Sequence, residues 1–158
     1  MITKIYFDTE FEGLFLDAKI ISIGLVNALG NRKFYAEITN NYDVNKCSEF
    51  CKKMVIPLLE EGNYSMDLDT VRFKLHEWLT QENGVKVLVC DSKRDIIQLE
   101  CLFPNGLPQN CSYEVLSFWK NLKRRIKNVG RRIHKKNRLR VHHAMDDALV
   151  NRIIFENN

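Results

Sequence analysis

Three short segments of the chain hold acids and a histidine at spacings that chemistry could use. The first is Phe7-Asp8-Thr9-Glu10-Phe11. On a strand, residues i and i+2 point to the same face, so Asp8 and Glu10 set two carboxylates side by side, about 6–7 Å apart at the backbone. Two acids on one buried face repel each other and resist desolvation. A divalent cation between or beside them removes both penalties, and that is the chemistry the pair suggests. The second segment is Asp91-Ser92-Lys93-Arg94-Asp95. Asp95 falls at the start of a helix, where the helix dipole stabilises a carboxylate whatever its function. The third is Val141-His142-His143-Ala144-Met145-Asp146-Asp147-Ala148. His142 and Asp147 are five apart and reach one site only if His142 hangs from the loop just before a helix. Asp147 lies on the side away from a Met145–Leu149–Ile153 stripe, which suits a crevice beside a sheet.

The elements that must position these groups follow from periodicity. Residues 2–9 alternate as a strand, with Tyr6, Asp8 and Glu10 on one parity and Ile5 and Phe7 on the other. Residues 19–28 (KIISIGLVNA) form a β-branched run too apolar for a half-wet strand, so they are placed centrally. Gly30-Asn31 supplies a turn, and residues 33–38 (KFYAEI) return as a third strand of an antiparallel meander. Leu68, Val71, Leu75, Trp78 and Leu79 then mark an amphipathic helix closed by Asn83-Gly84. Residues 85–90 (VKVLVC) form a short buried strand, and a helix bearing Ile96, Leu99 and Phe103 stops at Pro104. Residues 113–116 are a candidate fifth strand. Phe118, Leu122, Ile126 and Val129 mark a helix expected to end at Gly130, and a last helix over 144–155 buries Met145, Ala148, Leu149 and Ile153. Three strands followed by alternating helix and strand predict one domain over residues 1–158, an α/β fold whose five-stranded mixed sheet is flanked by helices.

Charge is segregated along the chain. Between Lys120 and Arg140 there are eleven Lys or Arg and no Asp or Glu, while the rest carries thirteen basic and twenty acidic residues. An acidic body with one cationic segment implies a polyanionic partner, cations held by the acids, or both. The five cysteines form no metal or redox spacing and are expected to be reduced, structural thiols. No apolar run reaches the ~18 residues needed to cross a bilayer. The N-terminus lacks the zones of a signal peptide, so a cytoplasmic location is expected.

In order, D-x-E on the first strand, an Asp four residues after a polar residue at the end of a later strand, and H-x-A-x-x-D-A on the last helix resemble the DEDD superfamily of 3′–5′ exonucleases. The separation of five between His142 and Asp147 is similar to its His-type branch. The opening D-T-E-F and the compact length are most similar to the small bacterial and phage exoribonuclease-like members, in the ribonuclease T-like group. The resemblance implies a ribonuclease H-like fold, with a five-stranded mixed sheet of antiparallel meander plus parallel strands. It also implies that Asp8, Glu10, Asp95 and Asp147 hold two Mg²⁺ or Mn²⁺ ions, Asp8 bridging them, and that His142 is the general base. Ala144 and Ala148 set the register that selects Asp147 over Asp146. His143, four residues before Asp147 where the sister branch carries tyrosine, competes with His142 for the role of base, and His142 is the favoured one. Asp91 stands where many relatives carry Asn; it either adds a negative charge near the metals or caps the helix, and the cap is the favoured reading.

The activity so implied is metal-dependent removal of nucleoside 5′-monophosphates from the 3′ end of single-stranded nucleic acid, RNA in preference to DNA. Phe11 and Phe15 are candidates to stack on terminal bases. Arg131, Arg132, Lys135 and Lys136 are candidates to hold upstream phosphates. Two alternatives are a proofreading-type exonuclease acting on DNA and a catalytically silent nucleic-acid-binding module. No membrane partner is expected, and pairing of the chain into a homodimer is left open.

Overall fold

The structure, a computed structural model, describes residues 2–116 and 120–156, with the backbone alone for 120–127. Phe118 and the side chains of Leu122 and Ile126 lie outside the described residues, as do the side chains of Lys120, Lys123, Arg124, Arg125 and Lys127. In chain order the elements are β1 (Ile2–Phe11), β2 (Ile20–Asn27), β3 (Lys33–Ile38), α1 (Glu49–Met54), β4 (Ser65–Met66), α2 (Leu68–Thr80), β5 (Val85–Cys90), α3 (Lys93–Leu102), β6 (Cys111–Val115), α4 (Lys120–Asn137) and α5 (Ala144–Glu156). Two 3₁₀ turns, Ile56–Leu58 and Gly62–Tyr64, connect α1 to β4.

The strands form one mixed sheet in the order β4-β3-β2-β1-β5-β6. β1, β2 and β3 make the expected antiparallel meander, and β5 and β6 run parallel to β1. Among the described residues the sheet has six strands and not five. The extra one is β4, two residues pairing parallel with the end of β3, too short to leave a period-2 pattern.

Alternation along β1 sorts its side chains into two cores. Ile5 and Phe7 pack with Val71, Leu75 and Leu79 of α2 and with Ile96, Leu99 and Leu102 of α3. Tyr6 turns to the other face, where Val26, Val89, Met145 and Ala148 bury it under α5. Asp8 and Glu10 share the parity of Tyr6, so the strand's own periodicity aims both carboxylates at the face that α5 covers. Local capping fixes where the helices begin. Asp67 accepts the Thr70 N–H at 2.8 Å ahead of α2, and Ser92 accepts the Arg94 N–H at 3.1 Å ahead of α3.

The basic segment differs from expectation. α4 does not end at Gly130 but continues to Asn137, so Arg131, Arg132, Lys135 and Lys136 lie on a helix. Gly130 is buried where α4 meets α5, and a Cβ there would stand 3.7 Å from Val150 and 3.8 Å from Ile154. It is an interhelical contact and not a helix stop. The helix ends seven residues later at Asn137, after which Arg138 takes a left-handed φ of 56° and the Leu139 N–H donates back to the His134 carbonyl at 2.9 Å. Because α5 is packed on two sides, Val150 and Ile154 are buried, whereas Leu149 and Ile153 are only half-buried.

All five cysteines are free thiols, with Cys101 exposed and Cys111 half-buried. Among the described residues, no helix is long and apolar enough to cross a membrane.

Candidate active site

The acids of the three segments meet at the C-terminal end of β1. Glu10, His142 and Asp147 each offer a ligand atom within 4.8 Å of the others, and so do Asp8, Asp91 and Asp95. Each arrives by a different local device. β1 presents Asp8 and Glu10, and a register shift against β2 between Glu10 and Phe11 marks a bulge, a feature that re-aims side chains at the end of a strand. Asp95, in the first turn of α3, is buried and held from two sides by Thr9. The Thr9 hydroxyl donates to Oδ1 at 2.6 Å and its backbone N–H donates at 3.2 Å. Asp147 comes from the first turn of α5.

Gly24 sets how close α5 can come. It lies opposite Asp8 in the β1–β2 register. A Cβ at this position would stand 2.4 Å from Met145 Cα, 2.5 Å from Met145 N and 2.6 Å from the Ala144 carbonyl carbon. Only the missing side chain lets the backbone of the α5 first turn rest on the sheet, two residues before Asp147.

The two histidines before α5 part company. His142 has a left-handed φ of 66°, which turns its ring toward Glu10 and Asp147 while its backbone N–H donates to Asp147 Oδ2 at 2.9 Å. The Phe50 ring of α1 meets the His142 ring edge-on, with centroids 4.8 Å apart. His143 turns inward. Its ring is buried against Tyr35 at 4.7 Å and lies 3.3 Å from Glu60, and its Nδ1 accepts the Asp146 N–H at 3.4 Å. Burial, aided by the Arg140 charge, holds His143 below the ordinary histidine range. Asp146 is likewise occupied elsewhere, accepting Arg140 N–H and Nε–H at 2.8 and 2.7 Å. Burial opposes its ionisation, but those Arg140 contacts prevail and keep its carboxyl below the usual value.

The electrostatics of the meeting point are those of crowded like charges. Burial, and then Asp95, Asp147, Glu10 and Asp91, push Asp8 well above the carboxylate range. Burial, with Asp147 and Asp95, lifts Glu10 to about 8. Burial lifts Asp95 to about 7, with Asp91 and Asp147 adding to it against the opposing Thr9 hydrogen bonds. Asp8, Glu10 and Asp95 are held short of ionisation by burial and then by their acidic neighbours, and a divalent cation would relieve all three together. The oxygen-rich donor set fits Mg²⁺ or Mn²⁺ better than the nitrogen and sulfur sets typical of Zn²⁺.

Asp91 is not the helix cap expected of it. Ser92 caps α3, and Asp91 instead stands as a fifth carboxylate beside Asp8 and Asp95. Phe11 is half-buried and Phe15 is 40% exposed, and the two share a hollow of about 50 Å³ with Arg94 and Gln98. Arg131, Arg132, Lys135 and Lys136 are exposed on α4.

Sequence reasoning missed a further histidine in contact with the cluster. His134 of α4 is 7% exposed, and its Nε2 lies 2.8 Å from Asp147 Oδ1. The hydrogen bond to Asp147 outweighs burial and raises its pKa above the ordinary histidine value. Its signal was the spacing of four from Gly130, visible only once the helix is known to continue. No protein-family model matches this chain, and no curated protein does.

Proposed function

We propose that the chain is a metal-dependent 3′–5′ exonuclease of the DEDD type with a ribonuclease H-like fold, acting on single-stranded RNA in preference to DNA. The observation that carries this reading is the meeting of Asp8, Glu10, Asp95, Asp147 and His142, drawn from three distant segments, between the C-terminal end of β1 and two helix starts. Structure alone gives no reason to gather four carboxylates when burial and the neighbouring acids oppose ionisation of three of them, Asp8, Glu10 and Asp95.

In this reading Glu10 and Asp147 would hold one divalent ion and Asp95, joined by Asp91, the other, with Asp8 between them. Two such ions, when bound, stabilise charge on the attacking and departing oxygens of a phosphodiester. His142 stands beside Glu10 and Asp147 on a loop, where its imidazole can accept a proton from the attacking water. Water adds to phosphorus, the P–O3′ bond breaks, and the departing oxygen takes a proton to become the new 3′-hydroxyl. Phe11 and Phe15 would stack on the last bases beside the crevice, and the exposed cations of α4 would follow the upstream phosphates.

The decisive experiment is a time course with Mn²⁺ on RNA and DNA oligonucleotides labelled at either end. The expected result is a stepwise ladder from the 5′ label and mononucleotide from the 3′ label at the earliest points, abolished by Asp8→Ala. Internal cuts, absence of hydrolysis, or an active Asp8→Ala variant would overturn the reading. Faster DNA digestion would move the substrate preference to the proofreading-type alternative.

A further inference from the structure

His134 stands outside the three acidic segments and yet hydrogen-bonds an acid of the cluster. It sits on α4, the helix of exposed cations, and its buried Nε2 is 2.8 Å from Asp147 Oδ1. The other oxygen, Oδ2, accepts the His142 backbone N–H at 2.9 Å. Asp147 is therefore gripped by one donor on each oxygen, from two separate segments. A carboxylate so held has its plane fixed, yet each oxygen keeps a lone pair for an ion. Hydrogen bonds to ligating groups commonly orient them in this way.

We propose that His134 is a positioning residue for Asp147, donating Nε2–H to Oδ1 so that the carboxylate is already aimed at a divalent cation. The inference rests on the metal-site reading above. Its physical content is preorganisation. Without the α4 donor, Asp147 rotates about its side-chain bonds and must be ordered when the ion arrives. The grip also makes α4 part of the site. Gly130, one turn earlier on the same face, sets the helix against Val150 and Ile154 of α5, four residues before His134 reaches Asp147. At ~100° per residue, Arg131 and Lys135 fall on the flank next to His134. The surface proposed to hold phosphates and the residue that aims the metal ligand thus move as one rigid element.

The test is Mn²⁺ binding by calorimetry, together with kcat and KM on an RNA oligonucleotide. The proteins are the wild type, His134→Ala, His134→Gln, Asp147→Asn and the His134→Ala/Asp147→Asn double variant. His134→Ala should weaken Mn²⁺ binding by roughly 10- to 100-fold, the usual scale for removing such a partner. kcat at subsaturating metal should fall with it, and KM for RNA should stay within about twofold. His134→Gln, whose amide N–H reaches about as far as Nε2, should recover most of the loss. In the Asp147→Asn background the His134 substitution should add almost nothing, because its effect passes through that carboxylate. A residue that merely docks α4 would give the same additional loss in both backgrounds and no recovery by Gln, and that pattern overturns the proposal. Tighter Mn²⁺ binding by His134→Ala also overturns it, since the contact would then compete with the ion. A wild type that binds no Mn²⁺ refutes the metal-site reading itself, and a binding wild type with an unaffected His134→Ala refutes the positioning role alone.

Discussion

Replacing Gly24 by alanine adds one methyl group to the centre of the sheet and should disable a site to which Gly24 contributes no side chain. The added carbon would meet Met145 Cα at 2.4 Å, Met145 N at 2.5 Å and the Ala144 carbonyl carbon at 2.6 Å. Non-bonded carbons rest about 3.5–4.0 Å apart, so the first turn of α5 must recede by about 1 Å or the β2 strand must bow by as much. All three atoms are backbone, and no side-chain rotation can relieve the clash. Overpacking of a core typically costs about 1–3 kcal/mol, and a clash with rigid backbone belongs at the upper end. The same displacement carries Asp147 and His142 away from Glu10. A misplacement of about 1 Å can lower turnover on the order of 100-fold. Urea unfolding at unchanged m-value would report the stability loss, and Mn²⁺ calorimetry with oligonucleotide hydrolysis would report the site. Wild-type stability and turnover in Gly24→Ala would refute the argument that close approach of α5 to this glycine positions the acids.

Gly130→Ala is the contrasting case: its new methyl meets Val150 and Ile154 at 3.7 and 3.8 Å, ordinary contact, inside a helix. It should raise stability by about 0.5–1 kcal/mol through helix propensity, and a loss of stability in the same urea assay would contradict the packing described. His142→Asn, which keeps a residue tolerant of the left-handed backbone, should lower turnover by roughly 10²- to 10⁴-fold. His143→Ala should chiefly lower stability, and the reverse ranking in steady-state kinetics would move the base to His143. In chelator, stability should fall as pH rises from about 5 to 8. The raised carboxylates of Asp8, Glu10 and Asp95 keep protons in the folded chain that the unfolded chain releases near pH 4, so the folded state binds more protons across that window. His134, raised by its hydrogen bond to Asp147, adds to that fall, whereas His143, depressed by burial, works the other way just below the ordinary histidine value, one group against four. Saturating Mg²⁺ should flatten or reverse the slope, and a rise in stability with pH in chelator would show that the carboxylates are not held protonated. Alanine at Arg131, Arg132, Lys135 and Lys136 should weaken oligonucleotide binding and reduce the salt slope by about 0.7 for each phosphate no longer engaged. Dinucleotide hydrolysis should be nearly unchanged, and equal losses on both substrates would count against a phosphate track.

What the sequence discloses and what it hides divides along the range of the interaction. The face that carries Asp8 and Glu10 is legible because a strand has a period of two, and the neighbouring Tyr6, Ile5 and Phe7 report which side is which. The long strands and α2 are legible for the same reason: their apolar spacing repeats often enough to define a face. β4 is two residues long and is held by pairing with β3, so nothing in its own composition declares it. Gly130 shows how a local rule misleads. Glycine after an apolar stripe usually ends a helix, but here the same absence of a side chain serves contact with a helix some twenty residues away. That misreading stops the helix before His134 and hides it, because a histidine beyond the end of a helix has no predicted face. For Asp91 the favoured of two readings gives way to the other. Its place before α3 fits a cap, yet Ser92 is one residue better placed, which leaves Asp91 to lean toward Asp8 and Asp95. Each missed feature is decided by what stands across from the residue and not by what stands beside it in the chain. The chemistry-bearing acids escape this limit only because their cost to folding is itself a signal. Carboxylates placed on strand and helix faces turned toward the interior need a partner, and that need can be read before the partner is seen.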